Sequence, residues 1–191
     1  MTSLWHKGTW LNQPEVWSVS GDTLRLTTGR ETDFWRTTSY GFVRDSGHAL
    51  LTDFPDNTSF EVTFTADFSE QFDQAGILVR ARDTHWIKCG VEYADGEMGV
   101  GAVVTNGVSD WSTSPHPHWL TTPVTLRVSR SGDALTIRAK SSEGPWELVR
   151  VAPIDPNLAW QAGPFAATPS REGLTVAFTN PQWGRADGKL H

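Results

Sequence analysis

Along most of the chain apolar and polar residues alternate with a period of two, and no long stretch shows the three-to-four spacing of a helix. The clearest run is Ser59 to Phe68, where Phe60, Val62, Phe64, Ala66 and Phe68 alternate with Ser59, Glu61, Thr63, Thr65 and Asp67, the pattern of a strand with one buried face. Residues 74–93 read as two strands joined by a tight turn at Asp83 and Thr84. Ala75, Ile77, Val79 and Ala81 share one face of the first, and Ile87, Cys89 and Val91 share one face of the second, so both faces belong in the core. Met98 to Thr105 and Val108 to Thr113 flank Asn106–Gly107, the dipeptide of a two-residue hairpin. A further hairpin joins Val124–Arg130 to Ala134–Lys140 and is extended by Trp146–Val151. Val19, Leu24 and Leu26 point inward around a Gly21–Asp22 turn, as do Leu174, Val176 and Phe178 near the end. Residues 5–17 read as turn-like, residues 163–169 lead into the last strand, Asp155 to Ala159 is the one expected helical turn, and residues 184–191 read as a frayed tail or cloning remnant. About a dozen short strands with turn signals between them predict an all-β protein, an antiparallel sandwich or jelly roll. No repeat or linker divides the chain, so residues 1–191 read as a single domain.

Composition narrows the picture. A 191-residue chain fits one core. The net charge of -6, without a lysine or arginine cluster, argues against a nucleic-acid partner. The single cysteine, Cys89, lies on the apolar face of its strand and reads as a small buried hydrophobe. The first residues lack an apolar run of signal-peptide length, and no stretch is long and apolar enough for a membrane span. These features predict a soluble, cytoplasmic protein without a cofactor. Ten tryptophans in such a chain predict that several fill the core and a few face a ligand.

The second face of 74–93 carries Gln74, Gly76, Leu78 and Arg80 on one strand and Trp86, Lys88, Gly90 and Glu92 on the other. That mixture suits a shallow ligand groove, and it also suits a decorated sheet surface. Gly99 and Gly101 leave one face of their strand low, so that a chain or ligand can approach. Asp33, Trp35, Arg36, Tyr40 and Phe42 lie in an aromatic-polar run expected to form a loop folded back onto the sheet. In a groove, Trp35, Trp86 and Trp111 would supply flat apolar surface, about 60 Å² of which is worth ~1.5 kcal/mol when covered. Asp33, Arg36, Gln74, Lys88 and Glu92 would fix hydroxyl groups. The competing readings are a loop anchor for Trp35, a hairpin plug for Trp111, and a surface ion pair for Lys88 with Glu92. His116 and His118 each follow a proline in a loop without a nearby carboxylate, so no metal site is expected. No Gly-x-Ser-x-Gly elbow is present for a nucleophilic serine.

The segments Thr-Asp-Phe-Trp-Arg-Thr-Thr-Ser-Tyr-Gly-Phe (32–42), Asp-Gln-Ala-Gly-Ile-Leu-Val-Arg (73–80), Trp-Ile-Lys-Cys-Gly-Val-Glu (86–92), Asp-Trp-Ser (110–112) and Gly-Pro-Phe-Ala-Ala-Thr-Pro (163–169) resemble, in this order, the concanavalin A-like family of unknown function named after a yeast regulator of enolase. The resemblance runs from about Trp10 to Trp183 and is most specific in the Trp-Ile-Lys-x-Gly-x-Glu piece. It implies a concanavalin A-like jelly-roll sandwich of two antiparallel sheets, the concave one holding carbohydrate in better-known relatives of that fold, and it implies no activity. Laminarinase-like jelly rolls carry Glu-x-Asp-x-x-Glu on one strand, whereas Glu92, Asp95 and Glu97 have the wrong spacing. A lyase using Lys88 or Tyr40 as base lacks a proton relay. The expected function is therefore binding of a small polar ligand, first a saccharide or sugar derivative, in a concave sheet groove. The alternatives are a protein-interaction module acting on a metabolic enzyme and an unrecognised glycoside hydrolase or lyase.

Overall fold

The computed structural model describes residues 4–142 and 144–188. Strands are numbered in chain order. The first seven-stranded antiparallel sheet runs β1 (Thr9–Leu11), β6 (His48–Asp53), β15 (Gln161–Ala167), β8 (Asp73–Arg82), β9 (His85–Ala94), β10 (Glu97–Asn106) and β11 (Val108–Pro115). The second runs β14 (Glu147–Pro153), β13 (Ala134–Ser141), β12 (Val124–Ser131), β7 (Thr58–Thr65), β16 (Thr175–Arg185), β3 (Thr23–Thr27) and β2 (Val16–Ser20). A two-stranded hairpin, β4 (Phe34–Arg36) with β5 (Val43–Asp45), stands apart. This is the expected sandwich. Ile77, Val79, Ile87, Cys89 and Val91 from the first sheet and Val62, Phe64, Leu126, Ile137 and Phe178 from the second are buried in one core. Burial pushes the Cys89 thiol up to about 12, which leaves it unreactive.

The hairpin makes a third layer, because the outer face of the first sheet is itself apolar over half its width. Phe34 and Trp35 are buried with Leu78, Trp86, Val103 and Phe165 in a second, smaller core. The Phe34 ring lies 6.0 Å from that of Trp86 and 6.2 Å from that of Phe165. Glycine at 47 makes this seat possible, since a Cβ there would come within 2.3 Å of the Phe34 ring. The layer is also tied by polar contacts. Arg80 grips the Asp45 carboxylate at 2.6 and 2.8 Å, Asn12 Nδ2 donates to the Asp45 and Gly47 carbonyls, and the Arg36 backbone N–H donates to Ser109 Oγ.

Four expectations change. The turn-like start contains β1, which pairs with β6. Gly163-Pro-Phe-Ala-Ala is no lead-in but part of β15, a central strand between β6 and β8. Pairing with β6 lapses at Gly163 and Pro164, where proline has no N–H to give and a Cβ on Gly163 would meet the Leu50 carbonyl at 1.8 Å. The helical turn falls not at Asp155, which forms an ordinary turn, but as 3-10 turns at Leu4–Lys7 and Pro117–Trp119. The tail does not start at 184: Gly184 and Arg185 complete β16, Ala186 N–H donates to the Asn57 carbonyl, and Arg127 Nε donates to Asp187 Oδ1 at 2.8 Å. Residues 189–191 lie outside the described residues. Among the described residues no helix is long and apolar enough to cross a membrane.

Candidate functional site

Register across β8 to β11 lays the outer face out in rows. Leu78, Lys88, Val103 and Trp111 form one row, and Gln74, Glu92 and Gly99 form another. Between them Gly76, Gly90 and Gly101 stand side by side on three adjacent strands, flanked by Phe165 and Thr113. A Cβ on Gly76 would lie 2.0 Å from the Cys89 carbonyl oxygen, and one on Gly101 2.1 Å from that of Ser112. The middle row is therefore bare backbone, and it forms a trough.

Beside the trough is a charged cluster. Lys88, 5% exposed, donates to Asp33 Oδ1 at 2.9 Å and to Gln74 Oε1 at 2.7 Å. Gln74 Nε2 in turn reaches the Phe72 carbonyl at 3.2 Å and Asp33 Oδ1 at 3.4 Å. Asp33 Oδ1 also accepts from the Phe34 N–H at 2.8 Å, so this carboxylate fixes both the lysine and the start of the hairpin. Glu92 is half-buried, and among the described residues no group donates to its carboxylate. Burial pushes the Glu92 carboxyl up to about 6 from 4.5, with Lys88 opposing the rise and Asp33 adding to it. The folded state thus holds a proton that the unfolded chain has already released. Stability from this group is fully present below about pH 4.5 and falls as pH rises through 6, by about 2 kcal/mol. We expect Glu92→Gln to melt close to the parent at pH 4 and several degrees above it at pH 7.5. A gap between the two that stays constant over that range would contradict this account.

Above the cluster, aromatic side chains wall a cleft of about 200 Å³. Trp35, Tyr40 and Phe42 come from the hairpin, Phe72 from the turn before β8, Trp111 from β11 and Pro169 from the segment after β15. The Tyr40 ring stands edge-on to Trp35 at 5.5 Å and stacks on Phe42 at 5.5 Å. The hairpin tip holds this corner with Thr37, Ser39 and Gly41 at φ of 65°, 63° and 74°, and Trp35 Nε1 donates to the Thr38 carbonyl at 2.9 Å. A β-branched residue in the left-handed region is rare and concentrates at functional loops.

Six of the eight residues singled out in the sequence meet at the cleft: Asp33, Trp35, Gln74, Lys88, Glu92 and Trp111. Two do not. Trp86 shares the face of Lys88, as expected, but is 1% exposed beneath Phe34, with Nε1 donating to the Asp83 carbonyl at 3.2 Å. The hairpin covers that half of the sheet, so the indole is core and not platform. Arg36 turns away from the cleft, its Nε donating to the Gly107 carbonyl at 3.0 Å. Phe72, Val103 and Pro169 were missed. A two-residue Asn106–Gly107 turn would set Val103 opposite Asp110, whereas the strands pair Asn106 with Val108 and so bring Val103 opposite Trp111; nothing local marks Phe72 or Pro169. His116 pairs with Glu147 across 31 residues at 3.0 Å, and among the described residues no group of three or more His, Cys, Asp or Glu side chains is arranged to hold a metal ion.

Residues 10–185 match the family described as a protein of unknown function (DUF1349). The chain is 40% identical over 178 residues to Regulation of enolase protein 1 of Saccharomyces cerevisiae, covering 91% of this chain and 87% of that protein. It superposes with a TM-score of 0.91 and 38% identity on the crystal structure of a functionally unknown protein from Saccharomyces cerevisiae, over 98% of this chain and all of the other. A likeness in fold alone, at 15% identity and TM-score 0.71, links 97% of it to 37% of the Bacteroides ovatus Xyloglucan PUL GH43B structure.

Proposed function

The chain belongs to the DUF1349 family of proteins of unknown function, and from that premise and the geometry of its outer sheet we propose that it binds a small polar ligand, a saccharide or sugar derivative, in the cleft between Trp111 and the β4–β5 hairpin. The observation that carries this reading is the set of aromatic walls over buried Lys88 and Gln74 and half-buried Asp33 and Glu92. Rings offer flat apolar cover, and a few fixed polar groups at the base orient the ligand. The GH43 likeness supports the fold only. A hydrolytic reading needs two working carboxylates, and Asp33 is already engaged by Lys88, so binding requires fewer parts. A thermal-shift screen against mono- and oligosaccharides tests the proposal. A ligand at 100 times its dissociation constant adds about 2.7 kcal/mol, which raises the melting temperature of a domain this size by roughly 5 to 10 °C. Trp111, 41% exposed, is the side chain to remove. The shift should shrink in Trp111→Ala, and an undiminished shift there would place the ligand elsewhere.

The name of the 40% identical yeast relative favours a second reading, a regulatory contact with a metabolic enzyme. Tyr40, Phe42 and Val43 are exposed apolar side chains of the hairpin available for such a contact. Co-sedimentation with purified enolase, abolished in Tyr40→Ala/Phe42→Ala, would favour it over the saccharide reading.

A further inference from the structure

The charges and rings around the cleft point to a narrower ligand chemistry than a neutral sugar. Three side chains that carry charge near neutral pH line it, the acidic Asp33 and Glu92 and the basic Lys88. Lys88 is held by Asp33 at 2.9 Å, with its head group buried. Glu92 is left with no donor among the described residues, so when all three are ionised the lining carries one uncompensated negative charge. An anionic guest such as a uronic acid or a sugar phosphate would meet a lysine whose charge Asp33 already balances, together with the like-charged Glu92. The remaining lining, Trp35, Tyr40, Phe42, Phe72, Val103, Trp111 and Pro169, is dominated by apolar surface. Trp35 and Tyr40, whose rings stand edge-on at 5.5 Å, share the cleft with Trp111 and the Glu92 carboxylate, a lining that suits a cation, whose charge is drawn to the π-faces while its methyl or methylene groups pack on them.

Resting on the ligand-binding reading above, we propose that the ligand carries a protonated amine or quaternary ammonium group, seated among Trp35, Tyr40 and Trp111 with Glu92 as its counter-ion. An amino sugar and a small choline-like ammonium share this chemistry, and the experiment separates them. Isothermal titration at pH 7.5 compares glucosamine with glucose and N-acetylglucosamine, and choline with its neutral isostere 3,3-dimethyl-1-butanol. The cationic member of one series should bind about tenfold tighter than its neutral counterparts. Preference within the glucosamine series identifies an amino sugar, and preference within the choline series identifies an alkylammonium. Glu92→Gln, nearly isosteric, should abolish the preference while near-ultraviolet circular dichroism stays unchanged. Equal binding of charged and neutral members to the parent protein would overturn this inference and leave the saccharide reading standing. Absence of binding by every probe would overturn both.

Discussion

Replacing Asp33 with alanine is expected to lower the unfolding free energy by about 3 to 5 kcal/mol, the cost of leaving a buried charge without its partner. Lys88 is 5% exposed, and among the described residues its ammonium has only Asp33 Oδ1 and Gln74 Oε1 within hydrogen-bond distance. The same carboxylate oxygen receives the Phe34 N–H, so the substitution also frees the entry to the hairpin that buries Phe34 and Trp86. Denaturant unfolding followed by tryptophan fluorescence measures the loss. The double variant Asp33→Asn/Lys88→Met should recover most of it, because removing both charges removes the desolvation that each imposed. A loss under about 1 kcal/mol in the single variant would mean that water reaches the pair and that the hairpin is anchored elsewhere.

Gly76→Ala is the second large effect, about 3 kcal/mol or more. Its Cβ would sit 2.0 Å from the Cys89 carbonyl oxygen and 2.7 Å from Gly90 Cα, both backbone atoms of the paired strand, so β8 and β9 must separate locally to admit it. Gly99→Ala provides the comparison. There the near atom is Thr113 Oγ1 at 2.4 Å, a hydroxyl that rotates aside, and the cost should stay within about 1 kcal/mol. For a domain of this length the difference amounts to roughly 4 to 8 °C in melting temperature, read directly by calorimetry. A loss at Gly76 as small as the one expected at Gly99 would show that the trough has room for a side chain.

The sandwich was legible because a strand with one buried face writes its period into the sequence, as Ser59 to Phe68 does, and because Asn106–Gly107 fixes a hairpin with a glycine at φ 77°. β15 was hidden for a related reason. Gly163–Pro164 carries the punctuation of a turn, yet sits in a central strand at the point where one ladder lapses. In the site, Gln74, Lys88 and Glu92 could be assigned to one face from alternation alone, and Asp33 and Trp35 could be expected nearby. What alternation does not encode is the cover. The hairpin's place over Trp86 depends on contacts such as Arg80 with Asp45, 35 residues apart, and no local pattern distinguishes an aromatic side chain that will be roofed from one that will stay open.

The tip of that hairpin holds its shape by its own backbone. Thr37 N–H donates to the Phe42 carbonyl and Gly41 N–H to the Thr37 carbonyl, each at 2.7 Å, while Thr38, Ser39 and Tyr40 are exposed. Its side chains can therefore be exchanged by mutation with little cost to the sandwich beneath. In the ligand-binding reading proposed above, stability and selectivity lie on separable stretches of chain, so a library at residues 38–40 and 42 would change ligand preference while the frame is inherited intact.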